Sequence, residues 1–154
     1  MKHRSEFVRS LFIGLFLLSV GGFAAEDIKF MDARIFTPLK GSNVTAGYVE
    51  IENKSKSPRK VVLSSVEGFK AFETHETIED AGKMSMKKVD EYTIAPESKL
   101  KLKPGGKHLM LFDPVKKIAD GDSLAVKFKI DGKEHSVQFK VIPRTKTDHN
   151  HDHH

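Results

Sequence analysis

The chain has 154 residues, 31% of them charged, with a formal net charge of +5 and no cysteine. This length favours a single domain with one substantial core, and the absence of cysteine excludes disulfide staples and thiol catalysis. Lysines are scattered from Lys54 to Lys146 and form no basic block interleaved with aromatic residues, so we predict no binding of nucleic acid.

Residues 1–24 have the pattern of a secretory signal peptide. Three basic residues lie before an apolar stretch at residues 11–20, and Gly22 and Ala24 supply the small residues that a signal peptidase reads. The stretch is much shorter than the roughly 20 residues that span a bilayer. We therefore predict an exported, periplasmic protein whose mature chain has no membrane span; an uncleaved anchor is the alternative. Because no cysteine follows the stretch, we expect no lipoprotein anchor.

Residues 25–143 show the alternation of a β domain. Apolar residues recur near period two, as in strands with one buried face, and no stretch keeps a helical period over three turns. The predicted strands cover residues 28–35, 46–51, 61–63, 69–78, 84–89, 92–94, 99–103, 107–112, 124–130 and 135–142. Several short strands at this spacing predict an all-β fold, either a β-sandwich or a Greek-key barrel.

Turn residues separate many of these strands. Residues 79–82, 104–106 and 131–132 each contain glycine and connect consecutive strands. Residues 113–119 could form one short helical turn. Residues 144–154 are polar and rich in histidine, and we predict a disordered tail there.

Two histidines and two methionines in the domain are candidate metal ligands: His75, Met86, His108 and Met110. Ten residues separate His75 from Met86, 21 separate Met86 from His108, and one separates His108 from Met110. Imidazoles and thioethers are soft ligands, and such a set selects Cu(I) over Mg²⁺, Ca²⁺ or Mn²⁺. Met84 is a candidate auxiliary ligand or a hydrophobic rim.

Strand geometry makes a shared site plausible. His108 and Met110 are two residues apart and so leave the same face of a strand, with Leu109 directed into the core. His75 and Met86 flank the turn at residues 79–82, so a hairpin would bring them close. The sequence alone does not establish that this hairpin lies beside residues 107–112.

Each of these residues also has an ordinary interpretation. A single methionine in a strand is more often core filler than ligand, and a single surface histidine is usually only solvated. Met84 and Met86 fit the core interpretation poorly, because they lie in a polar and charged segment, residues 82–88.

With these residues and their contexts, the chain resembles the PCuAC family of periplasmic copper chaperones over about residues 27–142. The family's signature is His, ten residues, Met, twenty-one residues, His, one residue, Met, and the chain matches it without a gap. The segments that also resemble the family are Thr45-Ala46-Gly47-Tyr48-Val49-Glu50-Ile51-Glu52-Asn53, Thr74-His75-Glu76-Thr77, Gly82-Lys83-Met84-Ser85-Met86 and Lys103-Pro104-Gly105-Gly106-Lys107-His108-Leu109-Met110-Leu111.

The resemblance implies a cupredoxin-like β-sandwich that binds Cu(I). It also implies delivery of copper to the dinuclear copper centre of cytochrome c oxidase, alone or beside a Sco-type thiol protein. We expect a monomer that carries copper and catalyses no reaction.

The histidine-rich end departs from the simplest form of the family. It contains His149, His151, His153 and His154 interleaved with aspartate, and imidazole with carboxylate suits Cu(II) or Zn²⁺ better than Cu(I). A secondary Cu(II) site, a solvated tail without metal and a remnant of an expression tag are the alternatives for this segment.

Other functions fit the sequence less well. A blue-copper electron carrier needs a cysteine thiolate, which the chain lacks. A zinc hydrolase would show a third His or carboxylate ligand and a carboxylate base, and no helix carries a His-Glu-x-x-His pattern. A non-enzymatic, exported β-sandwich interaction module with incidental metal binding stays open as the alternative.

Overall fold

A computed structural model describes residues 27–144 of the chain. These residues form ten strands and contain no helix. The strands are β1 (Ile28–Phe36), β2 (Val44–Asn53), β3 (Arg59–Val66), β4 (Phe69–Asp80), β5 (Lys83–Lys88), β6 (Tyr92–Ile94), β7 (Ser98–Leu102), β8 (Lys107–Pro114), β9 (Ser123–Ile130) and β10 (Lys133–Ile142). The all-β prediction is confirmed.

The strands hydrogen-bond in the order β5-β4-β8-β7-β2-β1-β10-β9-β3-β6, and β8 also pairs with β2. The β1–β10 and β7–β8 pairs are parallel, and the remaining pairs are antiparallel. β3 and β6, at one end of this order, contact β4 and β7 from the other part of the sheet. The sheet therefore curls over, and its facing parts enclose one core.

Alternating side chains from most strands fill this core, as the period of two requires. The largest side chains with almost no exposed surface are Phe128, Phe139, Ile35, Ile51, Leu109, Leu111 and Leu124. β5 contributes nothing to the core, because all six of its residues are exposed. β5 is thus an edge strand attached to the domain through β4 alone.

Gly47 allows close packing beneath β8. It pairs with Leu109, and a Cβ atom on Gly47 would lie 3.3 Å from Ile35 Cγ1 and 3.4 Å from Leu109 Cδ1. Both distances are tighter than ordinary contacts, so a larger residue would push Leu109 outward. Leu109 lies between His108 and Met110, so this packing determines how far the backbone of these three residues lies from the core.

Two connections differ from the predictions. Residues 113–119 contain no helical turn: β8 continues to Pro114, the Asp113 N–H donates to the Asn43 carbonyl, and the Val115 N–H donates to the Gly68 carbonyl. Asp113 also has a positive φ of 51°, outside the right-handed helical region, and the Ala119 N–H donates to the Asp122 side chain instead of a carbonyl of a preceding turn. The predicted turn at residues 79–82 narrows to Ala81 and Gly82, both at positive φ, as in a two-residue hairpin turn.

The predicted signal peptide, residues 1–24, lies outside the described residues. The predicted tail, residues 144–154, also lies outside them except for its first residue. Within residues 27–144, no helix has the length and apolar character to cross a membrane.

Candidate metal centre

The pairing of β4 with β8 places His75 directly opposite His108. Directly paired residues of an antiparallel sheet share a face, and the two imidazole rings lie with centroids 5.8 Å apart and planes tilted by 43°. Both rings are largely covered, with 15% of the His75 side chain and 8% of His108 exposed. The two histidines thus form a close pair, although 32 residues separate them along the chain.

Hydrogen bonds orient both rings. His75 Nε2 lies 2.6 Å from Glu73 Oε2, and His108 Nδ1 lies 2.9 Å from the Gly106 carbonyl oxygen. An ionised carboxylate and a carbonyl can only accept, so these two ring nitrogens carry the protons in the neutral imidazoles. The lone pairs then belong to His75 Nδ1 and His108 Nε2. His75 Nδ1 is buried and has no hydrogen-bond partner among the described residues.

Met110 lies beside the histidine pair on the same face. It is opposite Glu73 on β4 and opposite Ala46 on β2, and its side chain is half-buried. The intervening Leu109 has no exposed surface and packs in the core. The predicted division of this strand, with His108 and Met110 on one face and leucine on the other, agrees with the register.

Met86 reaches the same face from β5. It is opposite Thr77, two residues from His75 along β4, so it stands diagonally from His75, and diagonal neighbours in a sheet are typically about 7–8 Å apart. Met84 is opposite Glu79, one step nearer the turn. Met86 and Met84 are 51% and 52% exposed. The face therefore brings the two imidazoles and Met110 into adjacent positions, with Met86 at its open edge.

Charged groups surround the pair. Glu73 Oε1 lies 3.1 Å from Lys88 Nζ, and the hydrogen bond from His75 together with Lys88 lowers the pKa of Glu73 below its usual 4.5. On the opposite face of β4, Glu76 pairs with Lys107. Glu73 is therefore ionised at neutral pH and is held by partners on both sides.

Tyr92 on β6 supports the centre from across the fold. Its hydroxyl donates to the His75 carbonyl over 3.2 Å, and burial followed by the charge of Glu76 raises its pKa to about 12. The neighbouring Val89 N–H donates to the Thr74 carbonyl. These bonds fix the backbone of β4 where it carries His75.

Residues 27–144 contain no group of three or more His, Cys, Asp or Glu residues placed to hold a metal ion. The thioethers of Met86 and Met110 are the further soft donors that this face presents beside the two imidazoles. A cleft of about 550 Å³ lies at residues 37–42 and 114–120, and none of the four candidate ligands lines it. The role of these four residues as ligands stays a prediction.

The groups that support the histidines were only partly predictable from sequence. The alternation of β4 places Glu73 on the same face as His75, but it does not show which His75 nitrogen the carboxylate binds. The Gly106 carbonyl and the Tyr92 hydroxyl had no signal, because both depend on contacts that only the folded chain creates. The four tail histidines at residues 149, 151, 153 and 154 lie outside the described residues.

Comparison with known proteins adds a family and a fold. The sequence model of the LpqE-like family, whose description reads "Putative lipoprotein LpqE-like", matches residues 28–141. The uncharacterized protein RP573 of Rickettsia prowazekii is 34% identical over 93 residues, which cover 60% of this chain and 51% of that protein. The chain thus spans about half the length of this curated relative.

Two solved structures share the fold. The copper-bound PCuAC domain from PmoF2 superimposes with a TM-score of 0.64 at 21% identity, covering 79% of this chain and 97% of that domain. The Cu(I) form of DR1885 from Deinococcus radiodurans gives a TM-score of 0.65 at 24% identity, covering 83% of this chain and 86% of that protein. The predicted cupredoxin-like β-sandwich and the resemblance to PCuAC domains are confirmed at the level of the fold.

Proposed function

Because the chain belongs to the LpqE-like family and has the fold of PCuAC domains, we propose that it is a periplasmic carrier of Cu(I). Copper is its cargo, and His75, Met86, His108 and Met110 are the ligands, with Met84 as an auxiliary candidate. The carrier binds and releases the ion and catalyses no reaction.

The observation that carries this proposal is the direct pairing of His75 with His108 on a face that also presents two thioethers. Neutral imidazoles and thioethers suit Cu(I), which is soft and accepts few ligands. Thioethers form no disulfides, so the set avoids the disulfide formation that threatens a thiolate pair in an oxidising compartment. The Nδ1 of His75, buried and without a hydrogen-bond partner among residues 27–144, is a suitable donor atom for such an ion.

Two comparisons support copper as the ion. The PmoF2 domain is copper-bound, and the DR1885 structure contains Cu(I). Their identity to this chain is below 25%, so the choice of metal here rests on the donor set.

We further propose that the copper is delivered to the dinuclear centre of cytochrome c oxidase, either directly or through a Sco-type thiol protein. Met86 is 51% exposed on an edge strand, so thiolates of an acceptor can approach the ion while imidazole still holds it. Direct ligand exchange of this kind never frees the ion. The carrier acts as an exported monomer, and the four tail histidines form a secondary Cu(II) site.

Titration of the reduced protein with Cu(I) against a competing chelator tests the proposal. We expect one tightly bound ion, and we expect Met86→Ala combined with Met110→Ala to abolish that uptake. The competing function, an interaction module with incidental metal binding, predicts only weak uptake that disappears when the chain is truncated after Lys146.

Delivery needs a separate test in cells. Oxidase activity in a deletion strain at low copper should fall and recover when copper is added. Unchanged activity would contradict delivery to the oxidase while leaving the carrier role intact. Fractionation of the same cells checks the periplasmic location.

A further inference from the structure

Glu73 holds the ring of His75 at one end of the histidine pair. Its Oε2 lies 2.6 Å from His75 Nε2, and its Oε1 lies 3.1 Å from Lys88 Nζ on the neighbouring strand. Lys88 is also the cross-strand partner of His75. A single carboxylate thus links the imidazole to β5, the strand that carries Met86.

The chemistry of this contact decides which nitrogen of His75 can bind a metal. The carboxylate accepts a hydrogen bond, so the Nε2 of His75 keeps its proton and has no lone pair to offer. Nδ1 then holds the lone pair, and it is the atom that is buried with no hydrogen-bond partner among the described residues. Leaving a buried polar atom unpaired is costly, and a metal ion bound at Nδ1 would supply the missing partner.

We infer that Glu73 is a positioning residue that fixes His75 as the Nε2–H tautomer and directs copper to Nδ1. The inference rests on the proposed Cu(I) site. A carboxylate behind a ligating imidazole also increases the basicity of the ligand, and losing such a partner typically weakens metal affinity 10- to 100-fold. Lys88 in turn fixes the carboxylate.

The two histidines would then bind through different atoms. His108 donates from Nδ1 to the Gly106 carbonyl, so its lone pair is on Nε2. His75 presents Nδ1, nearer to its own backbone. The two rings would thus offer different nitrogens to one ion, although they face each other across adjacent strands with centroids 5.8 Å apart.

Nitrogen NMR of the histidine rings tests the tautomer before any copper is added. In the copper-free protein we expect His75 to show a slowly exchanging proton on Nε2 and an unprotonated Nδ1. On addition of one Cu(I), the Nδ1 resonance should shift while the Nε2 proton persists. Loss of the Nε2 proton on loading, or a proton on Nδ1 at the outset, would overturn the inference.

Variants at Glu73 separate positioning from a general structural role. We expect Glu73→Ala to lose the protected Nε2 proton and to weaken Cu(I) affinity about 10- to 100-fold. Glu73→Gln retains an accepting oxygen and should recover much of both properties. Glu134→Gln is the matched control, because it removes a carboxylate paired with Lys127 at 2.8 Å, outside the metal face.

The outcomes distinguish this inference from the proposed function. If the unaltered protein fails to bind Cu(I), the carrier proposal fails, whereas the tautomer measurement still stands on its own. If the unaltered protein binds Cu(I) and Glu73→Ala binds it equally well with an unchanged His75 ring spectrum, Glu73 has no positioning role.

Discussion

Replacing Met86 by alanine should separate copper affinity from the stability of the fold. Met86 is 51% exposed on an edge strand with no buried residue. Full burial of such a side chain is worth about 1.5–3 kcal/mol, so half-burial gives a loss of about 1 kcal/mol in the free energy of unfolding. The copper-free variant should therefore remain folded and nearly as stable as the parent.

The copper-dependent gain in stability should change much more. A ligand that binds only the native state at 100 times its dissociation constant adds about 2.7 kcal/mol. Loss of an outer partner of a ligand already costs 10- to 100-fold in affinity, so loss of the thioether itself should cost at least about 100-fold. At the same free Cu(I) concentration, Met86→Ala would then gain only about 0.4 kcal/mol.

Urea unfolding with and without chelator-buffered Cu(I), under reducing conditions, measures both quantities. Leu39→Ala is the control, since Leu39 is similarly exposed, at 52%, but lies outside the metal face. It should keep the full copper-dependent gain. If Met86→Ala keeps that gain too, Met86 is not a ligand, and the reasoning from register and exposure is refuted. Met84→Ala in the same assay decides whether Met84 assists.

Three further outcomes concern the fold that supports the site. Asn53 is fully buried, and its side-chain amide donates to the Ser57, Ile94 and Ala95 carbonyls. Asn53→Ala should therefore lower the free energy of unfolding in urea by about 2–4 kcal/mol, and a loss below about 1 kcal/mol would show that these hydrogen bonds contribute little. Gly47→Val should lower the free energy of unfolding by about 1–3 kcal/mol through overpacking against Leu109, and it should also weaken Cu(I) binding. An unchanged urea midpoint and an unchanged Cu(I) affinity would show that β8 accommodates the larger side chain. Stability should fall as the pH drops below about 4.5, because carboxylates with lowered pKa values bind fewer protons in the native state than in the unfolded state; a midpoint in urea that is constant from pH 7 to pH 3 would disprove it. Besides Glu73, those carboxylates are Glu50, Glu67, Asp131 and Glu134, each held by hydrogen bonds and by lysine or arginine partners.

Local patterns predicted the strands well. The strict alternation at residues 99–103 and the glycine of the β4–β5 turn are short-range signals, and the structure has a strand and a hairpin at those places. The segment after Phe112 was predicted wrongly as a helical turn. Its Asp113 and Val115 N–H groups donate to the carbonyls of Asn43 and Gly68, which are distant in sequence. A periodic pattern carries no information about such distant acceptors.

The spacing of the candidate ligands indicated that His108 and Met110 share a face, which follows from strand geometry alone. It could not indicate that His75 faces His108, since that depends on the register between β4 and β8. A shift of one residue in that register would have put the two imidazoles on opposite faces. Asn53 shows the same limit: its local pattern does not indicate that its side chain is buried and bound to carbonyls that are distant in sequence.

The edge position of β5 also bears on the lifetime of a bound ion. This strand hydrogen-bonds to β4 alone and buries none of its residues, so it can detach at a small fraction of the cost of global unfolding. Its amide hydrogens should consequently exchange faster than those of β9 or β10. Substitutions along β5 could therefore adjust how long the metal resides, while the melting temperature of the remaining strands stays almost constant.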